Sequence, residues 1–422
     1  MNFSSMELSP IIQKALKQKG YTKPTPIQEL SIPPLLLGKD LLGIAQTGTG
    51  KTAAFSLPII NFLIESKKRN KSKSTRVLIL TPTRELASQI EDNIKDYSKN
   101  SNIKTAVVFG GVGKTPQIAK LRNGLDILVA TPGRLLDLMS ENHVSLKDVE
   151  CFVLDEADRM LDMGFIRDVK RVMSNLPSKR QTLLFSATMA PEISDLATSL
   201  LKSPIRVEVT PQATTVEKID QSLNYVEKSN KIKLLEHTLK TPGVDSVLIF
   251  TRTKHGANRV VTNLEKVGII SAAIHGNKSQ TAREKALGSF RSGKLKVLVA
   301  TDIAARGIDV PHVTHVINYE LPNDPESYVH RIGRTARAGR KGIAIAFCDP
   351  LEKKLLKSIE KFINYQIPVD KSHPFHGVEG VTIPPQKRAP RKHKNQNESA
   401  DKKKHSHKHF FRKKKAKKTT SK

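Results

Sequence analysis

The most restrictive feature of this sequence is a repeated grammar. Short runs rich in Val, Ile and Leu, each stopped by a polar or glycine-bearing string, alternate with segments of helical spacing. Val77–Leu80 stops at Thr81-Pro82-Thr83-Arg84, Ile127–Ala130 at Thr131-Pro132-Gly133-Arg134, Phe152–Leu154 at Asp155-Glu156-Ala157-Asp158, and Leu183–Phe185 at Ser186-Ala187-Thr188. After a break, Val247–Phe250 stops at Thr251-Arg252-Thr253 and Val297–Ala300 at Thr301-Asp302. A run that is apolar at every position is buried on both faces, which is the condition of a parallel strand covered by helices on either side. Functional groups in open α/β sheets gather at the carboxyl ends of the strands. Two such series predict an α/β protein with two parallel sheets, each with its own working edge.

One strand end has a specific chemistry. Leu41–Ile44 runs into Ala45-Gln46-Thr47-Gly48-Thr49-Gly50-Lys51-Thr52, and an apolar helical pattern follows from Ala53 to Leu63. A strand, a glycine-rich turn and a helix start are the parts of a phosphate cradle. Gly48 and Gly50 let backbone N–H groups converge on anionic oxygens, and the helix adds its positive dipole end. Lys51 can reach the β and γ phosphates, and the Thr52 hydroxyl can bind Mg²⁺. The usual string has Gly six places before the Lys; here that place is Ala45. In the same half of the chain, Asp155 can hold the Mg²⁺ of the nucleotide. Glu156 can orient or deprotonate the water that attacks the γ phosphate. Asp158 reads equally well as a helix cap.

A chain of 422 residues is too long for one typical core. Its formal net charge of +31 points to a polyanionic partner. Residues 387–422 carry +14 of that charge, so both the tail and the body are basic. The break at Thr210–Glu217 reads as a linker. The expected division is domain one over residues 1–209, a linker over 210–216, domain two over 217–370 and a basic, disordered tail over 371–422. Ser66–Arg76 is expected to be an exposed basic loop. Leu351, Leu355, Leu356, Ile359, Phe362 and Ile363 make an apolar stripe that closes domain two. Cys151 and Cys348 sit in apolar runs and are expected to be buried free thiols. No apolar stretch approaches the length of a membrane span, and the N-terminus shows no export signal, so a cytoplasmic protein with no membrane partner is expected.

The strings quoted above, together with His330–Gly339 (HRIGRTARAG), occur in the order and spacing of the DEAD-box RNA helicases. The resemblance spans Phe3 to Asp370. Ala336, where most relatives have Gly, and the short basic tail resemble the bacterial RhlE-type branch. The resemblance implies two tandem RecA-like domains and an RNA-stimulated ATPase that uses ATP and Mg²⁺. Gly20-Tyr21 and Thr25-Pro26-Ile27-Gln28 look like the family's adenine-reading motif. Gln28 would pair with the adenine edge and Phe3 would lie against the base, favouring ATP over GTP. Arg334 and Arg337 would be arginine fingers supplied by domain two to the triphosphate in domain one. Gly307 would lie near the γ phosphate and Asp309 would contact the ribose. Ser186, Thr188 and His330 would connect hydrolysis to the RNA grip. Pro82, Thr83, Arg84, Gly110, Gly111, Thr131 and Arg134 would hold RNA on domain one, and Thr251, Arg252, Gly276, Arg283 and Thr301 on domain two.

These RNA-facing groups are hydroxyls, guanidiniums and backbone N–H groups, which suit phosphates and 2′-OH groups rather than base edges. The RNA, single-stranded or a short duplex, is therefore expected to be bound without regard to sequence. Tryptophan is absent and aromatics are 5% of the chain, so no base-stacking platform is expected. With neither a heptad seam nor an appended domain, a monomer is expected. Ribosomal and mRNA-decay complexes are both open as partners. Two other functions share the motifs: an ATP-dependent RNA clamp or annealing factor, and a DNA-directed translocase of the same superfamily. The tail has three readings: a solvated run, an electrostatic RNA tether, or a metal site at His405, His407 and His409.

Overall fold

The computed structural model describes residues 2–46, 48–66, 68, 70–209, 219–305, 313–336 and 342–376. The expected linker, Gly307, Asp309, Arg337, Thr47 and the tail beyond residue 376 lie outside them. Both sheets belong to one compact unit. The first holds β1 (Leu41–Ile44), β2 (Thr75–Leu80), β3 (Thr105–Val108), β4 (Leu125–Ala130), β5 (Cys151–Leu154), β6 (Gln181–Ser186) and β7 (Ile205–Glu208). Their order is β3-β4-β2-β5-β6-β1-β7. The second holds β8 (Ile219–Tyr225), β9 (Val247–Phe250), β10 (Ser271–Ile274), β11 (Val297–Ala300), β12 (His315–Asn318) and β13 (Gly342–Cys348), in the order β10-β11-β9-β12-β13-β8. Neighbouring strands pair in parallel in both sheets.

The uniformly apolar runs have two destinations. In β2, Val77 and Ile79 join a core with Ile90 and Ile94, while Leu78 and Leu80 join a second core with Leu135 and Leu138. Every side chain of such a strand is buried, so polar function can begin only where the strand stops. The register then sets what stands together. Ile44 pairs with Ser186, and Leu154 pairs with Leu184. The ends of β1, β6 and β5 are therefore adjacent, and those of β2, β4 and β3 form a second group. Cys151 and Cys348 are free and buried. Among the described residues no helix is long and apolar enough to cross a membrane.

Two local expectations change. Thr75 and Arg76 are not part of an exposed loop; they open β2 and are buried. Arg76 donates through Nε to Glu150 Oε1 at 2.7 Å, and this ion pair draws the end of the basic segment into the sheet. The apolar stripe near the C-terminus is also divided. Leu356 and Ile359 are fully buried, but Leu351 and Phe362 face solvent. The helix Lys353–Ile363 closes domain two with Leu356 and Ile359 in the core and half-buried Leu355 and Ile363 packed against it.

Domain two depends on a buried guanidinium. Arg331 is 1% exposed and forks onto Asp302 through Nε and Nη2 at 2.5 and 2.7 Å. Its Nη1 donates to Asn318 Oδ1 at 2.9 Å and to the Glu320 carbonyl at 2.7 Å, and the group lies over the Phe250 ring. It thereby joins the ends of β9, β11 and β12. Replacing Arg331 by Ala leaves these acceptors buried without a donor. We expect a loss of about 3–5 kcal/mol in the urea unfolding of domain two, whereas a loss below about 1 kcal/mol would show the cluster to be peripheral.

Candidate active site

The phosphate loop is a tight turn held by side-chain hydrogen bonds. Gly48 and Gly50 have φ of +87° and +97°, and Gly50 caps the helix Lys51–Glu65. Thr49 Oγ1 donates to the Gln46 carbonyl at 2.8 Å. Lys51 is buried, and its Nζ donates to the Ala45 carbonyl at 2.7 Å. Gln28 comes from the preceding helix, Pro26–Leu36. Its Oε1 accepts from the Thr25 N–H at 3.0 Å and its Nε2 donates to the Gly50 carbonyl at 3.1 Å. The amide assigned to adenine is therefore also bonded to the phosphate loop. Phe3 is buried and borders a groove of about 640 Å³ whose walls include Gly20 and Tyr21.

The acidic strand end faces this loop across β6. Asp155 and Glu156 are both nearly fully buried. Glu156 has φ +54°, a left-handed conformation that L side chains disfavour. Its N–H donates to Asp155 Oδ1 at 3.0 Å, and its Oε2 accepts from Arg159 Nη1 at 2.8 Å. Burial pushes the Asp155 carboxyl well above the ordinary aspartate value; Lys51 opposes the rise and Glu156 adds to it. A buried carboxyl short of compensating charge, within the field of Lys51 at the helix start, suits a hard dication. Among the described residues no cluster of three His, Cys, Asp or Glu could hold a metal unaided. A dication here would depend on nucleotide oxygens for its remaining ligands.

Asp158 acts across strands as well as at its own helix start, where its Oδ1 accepts from the Arg159 N–H at 3.0 Å. Its Oδ2 accepts from the N–H groups of Ala187 and Thr188, at 3.0 and 3.1 Å, and from Thr188 Oγ1 at 3.4 Å. Its N–H donates to Ser186 Oγ at 3.2 Å, and that hydroxyl donates to the Thr188 carbonyl. The segment after β6 is thus tied to the segment after β5. Sequence spacing could not assign this role, because it depends on β6 lying between β5 and β1.

Domain two contributes Arg334 and His330. Arg334 is buried, donates through Nε to the His330 carbonyl at 3.2 Å, and borders a cavity of about 10 Å³ with Asp302 and Ser327. His330 Nε2 lies 3.9 Å from Glu326 Oε1. Ala336 has φ +55°, a conformation that glycine adopts at less cost, by roughly 1–2 kcal/mol.

A groove of about 490 Å³ runs between the two sheets' working edges. Pro82, Thr83, Arg84, Gly110, Thr131 and Arg134 line it from domain one, and Gly276 and Arg283 from domain two. Gly111 lies beneath Arg84, where a Cβ would fall 1.9 Å from Nη1. Burial and then the charge of Arg283 lower the Arg84 pKa, Glu85 opposes the shift and Arg134 adds to it, so three guanidiniums share one space. Glu85 joins the domains: its Oε1 accepts from Arg283 Nη2 at 3.0 Å and from Gln280 Nε2 at 3.3 Å. Thr251, Arg252 and Thr301 stand elsewhere. Thr251 is fully buried and donates to the Thr253 carbonyl; the Arg252 N–H donates to Glu320 Oε2 at 2.8 Å; Thr301 is nearly buried. Met163 and Phe165 also border the groove, an apolar wall that motif spacing did not signal.

A phosphate loop, an acidic strand end and a basic groove, mounted on two parallel sheets, define a tandem RecA-like ATPase that works on a polyanion. Comparison with known proteins agrees. The family description "DEAD/DEAH box helicase" matches residues 25–196, and "Helicase conserved C-terminal domain" matches residues 230–339. The ATP-dependent RNA helicase CshA of Limosilactobacillus reuteri is 42% identical over 361 residues, covering 86% of this chain and 72% of that protein. The ATP-dependent RNA helicase SrmB of Escherichia coli is 42% identical over 367 residues, covering 86% and 82%. The structure of S. cerevisiae Dbp5 bound to RNA and ADP BeF3 matches with a TM-score of 0.76 at 32% identity, covering 87% of this chain and 94% of that one. The chain belongs to the DEAD-box family of ATP-dependent RNA helicases.

The loop geometry can be tested directly. Gly50→Ala forces a side chain into φ +97° and sets its Cβ 2.4 Å from Gln28 Nε2. Titration with a fluorescent ATP analogue should show affinity lowered by about tenfold or more, with the circular dichroism unchanged. Wild-type affinity would mean that the turn relaxes without cost.

Proposed function

We propose that the chain separates short RNA duplexes, or remodels RNA–protein complexes, by closing two domains over RNA and ATP and reopening them on hydrolysis. The observation that carries this reading is the groove in which Arg84 and Arg134 of one domain share space with Arg283 of the other. A bound strand draws the two working edges together, and RNA occupancy is then felt at both.

In the closed state Lys51 leaves the Ala45 carbonyl for the β and γ phosphates, and backbone N–H groups of residues 45–52 cradle them. Gln28 pairs with adenine while bonded to Gly50, so base identity reaches the loop. Thr52 and Asp155 would hold Mg²⁺, which would supply charge neutralisation at the phosphate oxygens. Glu156 accepts a proton from the attacking water, whose oxygen bonds to the γ phosphorus as the bond to ADP breaks. Arg334 and Arg337 stabilise the charge that develops, Gly307 lies near the γ phosphate and Asp309 holds the ribose. Asp158 carries the change at β5 to Ser186 and Thr188, and His330 answers from domain two. RNA is held through phosphates and 2′-OH groups by the residues named for that role, without base readout.

Domain limits at residues 1–209 and 217–370, a tail from 371, action as a monomer and a cytoplasmic site of work belong to the same proposal. So does a place near the RhlE-type branch, which rests on Ala336 and the short basic tail; the relatives named above carry other names.

Steady-state ATPase with and without RNA tests the core of this reading. Glu156→Gln should abolish RNA-stimulated turnover, and Arg334→Ala should lower it by about 10³-fold. Arg334→Ala within a few-fold of wild type would refute a site shared by two domains. Strand displacement from blunt and overhung duplexes separates unwinding from clamping, and DNA of equal length separates the translocase reading.

Truncation after Val381 removes all of the +14 carried by residues 387–422. The RNA concentration for half-maximal ATPase should rise by about tenfold at low salt and its salt dependence should flatten, with the saturated rate nearly unchanged. An unchanged RNA requirement would remove the tether role.

A further inference from the structure

The helix Lys353–Ile363 buries Leu356 and Ile359 and leaves its opposite face to solvent. Two rows run along that face. Lys354, Lys357 and Lys361, spaced three and four apart and all exposed, form one. Leu351, in the turn before the helix, and Phe362 form the other at its margin, and Tyr365 follows the helix end. Leu351 is 73% exposed, Phe362 56% and Tyr365 44%. Among the described residues no carboxylate pairs with the three lysines. Glu360, the nearest acid in sequence, accepts from the Ile367 N–H at 3.1 Å. Glu352 is committed to Lys231 and to Arg252 Nη2, the latter at 3.2 Å.

That last contact fixes where the face begins. Arg252 is one of the residues assigned to RNA on domain two, and Leu351 directly precedes the glutamate that holds it. From there the helix extends about 16 Å over its 11 residues. Uncompensated ammonium groups beside exposed rings suit one chemistry above others: a chain with regularly spaced anions and flat apolar faces. Phosphates would meet the lysine row, and bases would stack on Phe362 and Tyr365.

We propose that this face is a second RNA-docking surface, which holds single-stranded RNA leaving the groove past Arg252. The inference rests on the assignment of Arg252 to the RNA path and adds to it a partner for an otherwise unused helix face.

The test uses the full chain, tail included, in two variants: Lys354→Ala/Lys357→Ala/Lys361→Ala, and Phe362→Ala. ATPase stimulation is titrated with an RNA of about 8 nucleotides, enough for the groove alone, and one of roughly 30 nucleotides that runs beyond it. For the longer RNA, the half-saturating concentration should rise about tenfold in the triple variant and about fivefold in Phe362→Ala. The slope of log affinity against log salt should fall by about 2 in the triple variant only. The shorter RNA should require the same concentration throughout, which also shows that the variants are folded. An unmoved 30-nucleotide titration overturns the proposal and leaves the groove intact. An equal shift for both lengths also overturns it, because the substitutions would then be acting on the groove. If the triple variant loses cosedimentation with phosphatidylglycerol vesicles while both RNA titrations stay unmoved, the face belongs to a membrane surface instead. Failure of either RNA to stimulate the wild type removes the Arg252 assignment, and this inference with it.

Discussion

The whole arrangement depends on strands that are buried on both faces. The stretch Val77–Leu80 of β2 is apolar and fully enclosed, and a polar group placed there would need a buried partner of its own, as Arg76 at the start of the strand has in Glu150. Chemistry is therefore displaced to the residue after each strand. Strand order then decides which chemistries meet. In the first sheet β6 lies between β5 and β1, so the segment containing Ser186 separates the acidic edge from the phosphate loop and touches the first through Asp158. On the other side of β5, β2, β4 and β3 end in the residues of the groove. One sheet edge thus has a nucleotide half and a polyanion half, with β5 at their border.

Buried charge follows the same logic. Arg331, Arg76, Lys231 and Arg159 are all nearly enclosed, and each is matched by a carboxylate: Asp302, Glu150, Glu352 and Glu156. The first three pairs join elements distant in sequence and hold the sheets in shape. The fourth lies within one helical turn and occupies an oxygen of the carboxylate proposed to activate water. Breaking a buried pair costs far more than the pair contributes, so such clusters specify geometry more than they add stability. The groove is less evenly matched: three guanidiniums crowd together there, with Glu85 3.0 Å from Arg283 and Asp137 3.5 Å from Arg134. Crowding of that kind is tolerated because the molecule is completed by something anionic.

Much of this was legible in the residues. The apolar runs located seven strands to within two residues, because enclosure on both faces leaves an unbroken hydrophobic signal. The phosphate loop was legible because glycine, lysine and threonine have separate tasks at fixed offsets. Strand order was not, and with it went the role of Asp158 and the meeting of Glu85 with Arg283. These are contacts between segments that one-dimensional spacing cannot place together. Arg76 was misread for a related reason. A basic residue at the end of a basic run looks solvated until its acid, Glu150, arrives from 74 positions away. The stripe at the C-terminus failed differently: helical spacing identifies a face, but Leu351 and Phe362 lie at its margin, where the core has already ended.

The phosphate loop has one further consequence. Lys51 does not wait in solvent for a nucleotide; its ammonium already rests on the Ala45 carbonyl, inside the turn that the phosphates would enter. Occupation by ATP is therefore an exchange of oxygen partners and not a simple addition. What Lys51 contributes to binding is the difference between a neutral carbonyl and an anionic oxygen at the same ammonium group. A ligand whose charged oxygens stop short of Lys51 leaves that internal contact in place and gains nothing from it. The Ala45 carbonyl is in this sense an internal competitor, a weak one, and it grades incoming nucleotides by how far their phosphate chain extends.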